Sequence, residues 1–160
     1  MSKALLTYSV TARNVEQGVS EAAIAGKAAR IRFDTSAGQS ELLPGPADLL
    51  VTAFAACVLK NVERMSRLQP FRYETAEIEV TAVREEQPPR IARIHYRLTI
   101  TTSEPQRRVD LLHYNIARQG TIYNTLASAC EVTGEIIAIP PNGEAAPADP
   151  LRTLATPGEH

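Results

Sequence analysis

Cysteine is scarce: Cys57 and Cys130 are the only two in 160 residues, too few for a disulfide framework. An export signal is not readable either, because residues 1–14 hold neither a long apolar core nor a cleavage-like site. These absences lead to the expectation of a cytoplasmic protein with both cysteines as thiols. Long hydrophobic runs are missing too. The longest apolar stretch, residues 49–59, is too short to cross a bilayer, so no membrane partner is expected. Charge of one sign does not dominate, the formal net charge being -1. That balance argues against the basic patch a nucleic-acid partner would require, and none is expected.

The motifs of several chemistries are also absent. His95, His113 and His160 are scattered, and no Cys or His pair has metal-ligand spacing. Gly18, Gly26, Gly38 and Gly45 stand alone, so there is no phosphate-cradling loop. No Gly-x-Ser-x-Gly nucleophile motif occurs. Neither a metal nor a cofactor is expected, and no internal repeat is present.

What remains suits one domain, since a chain of 160 residues can bury about 70% of its unfolded surface. The domain is expected over residues 1–140, followed by a mobile Pro- and Ala-rich tail at 141–160. Leu6, Tyr8 and Val10 share one face of a short strand, with a turn at residues 14–18. Residues 19–25 and 28–34 read as two more strands. Pro44-Gly45-Pro46 then punctuates the chain, and Pro46 fits a first helical position. Residues 47–68 contain no Gly or Pro and read as a long helix. Strands follow at 73–84 and 91–101, as a hairpin with an acidic outer row facing a basic one. His95 is expected as an exposed residue of that hairpin. A helix begins near Pro105, buries Val109, Leu112 and Ile116, and ends at Gly120. A helical turn at 124–129 and a strand at 131–139 complete the order. Strands and helices in runs indicate an α+β class.

The first half of the long helix is apolar all round, from Leu49 to Val58, which predicts burial on every side. Its second half, with Lys60, Asn61, Glu63, Arg64 and Arg67, is expected to turn toward solvent. One sheet covers only one side of such a helix. A second copy packed about a twofold axis would cover the rest, so an obligate homodimer is expected.

The run Gly45-Pro46-Ala47-Asp48-Leu49-Leu50-Val51-Thr52-Ala53-Phe54-Ala55-Ala56-Cys57 resembles the signature helix of the OsmC/Ohr family. Its features there are a Gly-Pro-rich lead-in, an acidic residue, an apolar stretch and an Ala-Ala-Cys end. Tyr123-Asn124-Thr125-Leu126 resembles the family's second motif, which typically reads Cys-Pro-x-Ser-Asn-Thr-Leu. The order of elements resembles the family over residues 6–139. The resemblance implies an OsmC-like fold, with antiparallel sheets packed around a long central helix in an intertwined homodimer. It also implies reduction of organic hydroperoxides by a cysteine pair, the first attacking the peroxide and the second closing a disulfide that a dithiol reopens. By this resemblance Cys57 is the attacking residue. Arg13 is the nearest match to the activating arginine, with Arg30 and Arg32 as rivals. Asp48 is the match to the acidic residue, although in the hydroperoxidase branch that residue falls on Ala47. Nine residues before Cys57, Asp48 is half a turn out of phase and better suits a structural place in the first turn, where a carboxylate meets the helix dipole favourably. The second cysteine falls on Gly120, so the usual resolving thiol is missing. Cys130 lies beyond the motif, as a core residue or a substitute.

A thiolate, not a thiol, is the nucleophile. A thiol of ordinary pKa near 8.5 is only about 3% ionised at neutral pH. Moving such a thiol to about 6 requires roughly 3.4 kcal/mol, which one partly buried arginine can supply. Three readings follow. In the first, Cys57 reduces organic hydroperoxides with an external thiol as reductant. In the second, the same dimer cleft binds a small apolar ligand and Cys57 only packs, as free cysteines usually do. In the third, the chain is a stress-associated dimer with no small-molecule site.

Overall fold

The computed structural model describes residues 5–141. The expected tail at 141–160 lies outside these residues except for Pro141, and Met1 to Ala4 lie outside them too. The described residues form two three-stranded sheets and three helices, an α+β fold. They divide into two compact units, one up to Leu50 and the other from Val51 onward.

The first unit is an antiparallel meander of β1 (Val10–Glu16), β2 (Val19–Ile24) and β3 (Arg30–Asp34). The first strand lies later than expected, starting at Val10 rather than by Leu6 and running to Glu16, into the expected turn at 14–18. Gly18 explains the shift: its φ of +74° allows a tight turn between β1 and β2, which draws residues 14–16 into the ladder. All of β1 is exposed, whereas Ser20 and Ala22 of the middle strand are buried. After β3 the chain is gathered by Asp34. Its Oδ1 accepts the Ser36 N–H at 2.9 Å and its Oδ2 accepts the Ser40 N–H at 2.8 Å. These bonds hold the carboxyl below the usual carboxylate range. The Asp34 N–H in turn donates to the Pro44 carbonyl at 2.9 Å, which brings the loop to the start of α1 (Pro46–Leu68).

The second unit is built on a sheet ordered β4 (Thr75–Glu86), β5 (Pro89–Thr101), β6 (Glu131–Ile139). The β4–β5 hairpin is antiparallel as expected, turning through a cis Gln87–Pro88 bond. The expectation of purely antiparallel sheets is corrected at β6, which runs parallel to β5. The cause is connectivity: α2 (Gln106–Gln119) and α3 (Thr121–Ala127) form the long crossover that a parallel partner requires. On the outer face Arg97 reaches Glu79 at 3.8 Å but lies closer to Glu135 of β6, at 2.7 Å. His95 is exposed and shares a 3.0 Å hydrogen bond with Thr133.

The inner face carries the core. Ile94, Tyr96, Leu98 and Ile100 alternate inward from β5 and meet Val109, Leu112 and Ile116 of α2. From α1 the stripe is Phe54, Val58, Asn61, Val62 and Met65, at helical spacing. This corrects two expectations. Thr52, Ala53 and Ala56 of the apolar half are exposed, and the polar half does not leave the core, since Asn61, Val62 and Met65 are buried. One stripe along the whole helix faces the sheet, whatever the average polarity of each half.

Tyr96 lies flat over Gly134, its register partner on β6. A Cβ at Gly134 would stand 2.1 Å from the Tyr96 ring, so only glycine fits there. The Tyr96 hydroxyl meets His113 Nε2 at 2.6 Å, both groups being buried. The rings of Phe54, Tyr123 and His113 surround Tyr96 at centroid distances of 5.7, 6.1 and 5.7 Å.

Two outcomes are expected. Gly134→Ala should lower stability by about 2–3 kcal/mol in chemical denaturation, through forced displacement of the ring. Burial pushes His113 down to about 4, so the folded protein holds it neutral while the unfolded chain protonates near 6.5. The unfolded state therefore binds more protons between these values, and stability falls as pH drops from about 6.5 toward 4, by up to about 3 kcal/mol. Denaturation across that range should show this slope, and His113→Gln should flatten it.

Candidate functional site

Cys57 sits at the edge of the buried stripe of α1, three residues after Phe54 and four before Asn61, and is half-buried as a result. The same helical spacing brings Asn61 alongside it. The Asn61 Nδ2 donates toward Cys57 Sγ at 3.9 Å. Asn61 is only 6% exposed, a buried amide on an otherwise apolar stripe.

The other wall is the corner between α2 and α3. Gly120 ends the first of these helices and begins the second, and it is buried. Its φ of -77° is open to any residue, so backbone freedom does not explain the glycine. Close approach does. A Cβ there would stand 3.3 Å from Cys57 Sγ, 3.1 Å from Asn61 Nδ2 and 2.8 Å from Tyr123 Cβ. Asn124 fastens the corner: its N–H donates to the Gly120 carbonyl at 2.8 Å, and its Nδ2 to the Arg118 carbonyl at 3.1 Å. Thr125 Oγ1 donates to the Thr121 carbonyl at 2.9 Å. The Asn-Thr pair of the second motif thus performs structural work, holding Gly120 against the sulfur.

The remaining expected residues are placed as follows. Cys130 is a free thiol after α3, and its Sγ donates to the Leu126 carbonyl at 3.3 Å. Burial pushes this thiol up, away from the anionic form, which favours the core role over that of a substitute resolving residue. Arg13 is exposed on β1, in register with Glu21. Its rivals are engaged with carboxylates: Arg32 with Glu16 at 2.5 Å and Arg30 with Glu21 at 4.0 Å. Asp48, in the first turn of α1, accepts the Gly45 N–H on Oδ2 at 2.9 Å. That bond and the helix dipole give its carboxylate a structural task. Arg13 and Asp48 belong to the first unit, Cys57 and Gly120 to the second. Asn61 was read from sequence as a solvent-facing residue; its place four after Cys57 was the available signal. An open recess of about 310 Å3 beside the C-terminal end of α1, between Met65, Phe71 and Leu111, does not include Cys57 in its lining.

Comparison with known proteins agrees with this architecture. The profile described as OsmC-like protein matches residues 38–135, more than half of the chain. The chain belongs to the OsmC-like family. No curated protein matches it. Among solved structures, an OsmC-like protein from Mycoplasma pneumoniae superposes with a TM-score of 0.74 at 18% identity, covering 87% of this chain and 99% of the other. The organic hydroperoxide resistance protein OhrB of Bacillus subtilis gives 0.57 at 19% identity, over 83% and 99%. An organic hydroperoxide resistance protein OsmC of Legionella pneumophila gives 0.62 at 16% identity, over 84% and 98%. At such identities these likenesses establish the fold. No helix among the described residues is long and apolar enough to cross a membrane.

The position of Gly120 can be tested directly. In a disulfide each Cβ lies about 3 Å from the opposite sulfur, as the S–S length and ordinary bond angles require. The 3.3 Å from a Cβ at 120 to Cys57 Sγ is close to that value. Gly120→Cys should therefore close a disulfide with Cys57 under mild oxidant, read as the loss of two free thiols and a cross-linked peptide. The reduced variant should be about 1–2 kcal/mol less stable, because Tyr123 must yield.

Proposed function

We propose that this chain is a thiol-dependent peroxidase that reduces organic hydroperoxides through Cys57. The observation that carries the reading is the setting of the sulfur: half-accessible, touched by a buried amide donor and closed on one side by a glycine rather than a side chain. Membership of the OsmC-like family supports it, as does the likeness in fold to two organic hydroperoxide resistance proteins. Attack by the Cys57 thiolate on the outer peroxide oxygen forms an S–O bond and breaks the O–O bond. The alkoxide leaves with a proton as the alcohol, and Cys57 remains as sulfenic acid. With Gly120 at the resolving position, two equivalents of an external thiol return Cys57 to the thiol, releasing water and a disulfide. Arg13 is the cation assigned to hold the thiolate. Unlike Arg30 and Arg32, it makes no ion pair among the described residues.

The working form in this proposal is an intertwined homodimer around α1, in the cytoplasm. Two features of the lone chain support a second copy. Leu5, Leu6, Tyr8 and Val10 are exposed, and the inward row of β4, Ala76 to Ala82, is only half-buried while that of β5 is fully covered.

The test is mass spectrometry after one equivalent of cumene hydroperoxide, with a sulfenic-acid trap. Cys57 should carry the trap, Cys130→Ser should behave as the parent, and Cys57→Ser should consume no peroxide. Arg13→Ala should slow peroxide consumption about 100-fold, the equivalent of about 3 kcal/mol. A Cys57 that stays an unmodified thiol would end the proposal and leave ligand binding to be examined.

A further inference from the structure

The amide of Asn61 is an oddity that the reaction as written does not use. It occupies the apolar stripe of α1, between Val58 and Met65, where a hydrocarbon would pack as well. Buried polar groups are ordinarily paired. Among the described residues, this side chain donates from Nδ2 to Cys57 Sγ, at 3.9 Å. A neutral thiol is a weak acceptor, and 3.9 Å is long even for sulfur. An anion at the same place accepts a shorter and stronger bond. The buried donor is therefore better satisfied by a charged sulfur than by a protonated one.

Gly120 makes the arrangement specific. A Cβ at that position would press on the sulfur at 3.3 Å and on the amide nitrogen at 3.1 Å. The bare α2–α3 corner lies against both groups, so that the amide and the sulfur share one side of α1 under Gly120. Other charged or titratable groups on this face of α1 are Lys60 and Arg64, both exposed. Exposed cations are screened by water and act weakly. The corner contributes Tyr123, whose phenol burial pushes up and keeps neutral.

We infer that Asn61 is a positioning residue for Cys57, donating its amide N–H to the thiolate before attack and to the sulfenate oxygen afterwards. The inference rests on the peroxidase reading for its purpose, but its geometry belongs to Asn61, Cys57 and Gly120 alone. It adds a second donor, from the sulfur's own helix, to the arginine assigned above.

Alkylation by iodoacetamide, followed across pH at Cys57 in a Cys130→Ser background, tests it. Asn61→Leu should slow alkylation at pH 7 about tenfold and displace the rate–pH profile by about one unit toward alkaline pH. Asn61→Asp, nearly the same shape but anionic, should displace it further. Asn61→Gln, which keeps a donor, should recover part of the loss. Thermal unfolding of Asn61→Leu should stay at or above the parent, which separates the effect from misfolding. An unchanged profile in both Asn61→Leu and Asn61→Asp would overturn the inference. So would an acid displacement in Asn61→Leu, which would mean that the amide oxygen, not the nitrogen, faces the sulfur. Peroxide treatment keeps the two proposals apart. If the parent resists cumene hydroperoxide while Asn61→Leu still slows alkylation, the donor role stands and the peroxidase falls. If the parent is oxidised and the Asn61 variants match it in both assays, Asn61 is excluded and the peroxidase stands.

Discussion

The approach of the α2–α3 corner to α1 is the constraint on which the site depends. At Gly120 a backbone with no side chain lies against Cys57 and Asn61, and a single added carbon would meet three neighbours within 3.3 Å. Two things must hold for so close a contact. The corner has to be rigid, which the Asn124 and Thr125 hydrogen bonds provide. The helix beneath has to be fixed in rotation, which its stripe from Phe54 to Met65 does by packing on the inner face of β5 and α2. The chemistry of the sulfur is thus set by core packing several residues away as much as by the groups that touch it.

That arrangement also changes how the motif residues are to be understood. In the second motif, Gly120 stands where the resemblance places a cysteine, and the Asn and Thr that follow serve as hydrogen-bonding residues of the corner. In the proposed cycle the oxidised sulfur is met by a thiol from solution, and the half-exposed position of Cys57 is compatible with such an encounter. Cys130, with its thiol bonded to the Leu126 carbonyl, has its own local partner.

Much of the fold was legible because its elements carry strong periodicity or punctuation. Pro46 marked the start of α1, and Gly120 marked the end of α2. The alternation in β5 and the Val109, Leu112, Ile116 spacing gave the right buried faces. The errors have physical sources. The first strand was misplaced because exposed β1 has no buried face to write a pattern. The direction of β6 depends on a crossover, which local sequence does not encode. For α1, average polarity misled where position decides: Asn61 is polar but lies on the stripe, and Ala53 and Ala56 are apolar but lie off it. Of the candidate site, motif spacing singled out Cys57 and Gly120 as positions to inspect, and the structure brings the two together. Asn61, and the Tyr96–His113 pair beneath, were not, since their roles arise from contacts between distant segments.

The contact between Tyr96 and Gly134 has a consequence for how this sequence can vary. A phenol ring fills the space that a side chain on the neighbouring strand would take, so the two positions divide one fixed volume between them. Growth at 134 is tolerable only with shrinkage at 96, and the effects of changing each will not add. Shrinkage at 96 would in turn strip the imidazole of His113 of its hydroxyl partner. Three residues drawn from two strands and a helix are therefore bound to drift together or not at all, in a part of the core where each, viewed singly, looks freely exchangeable.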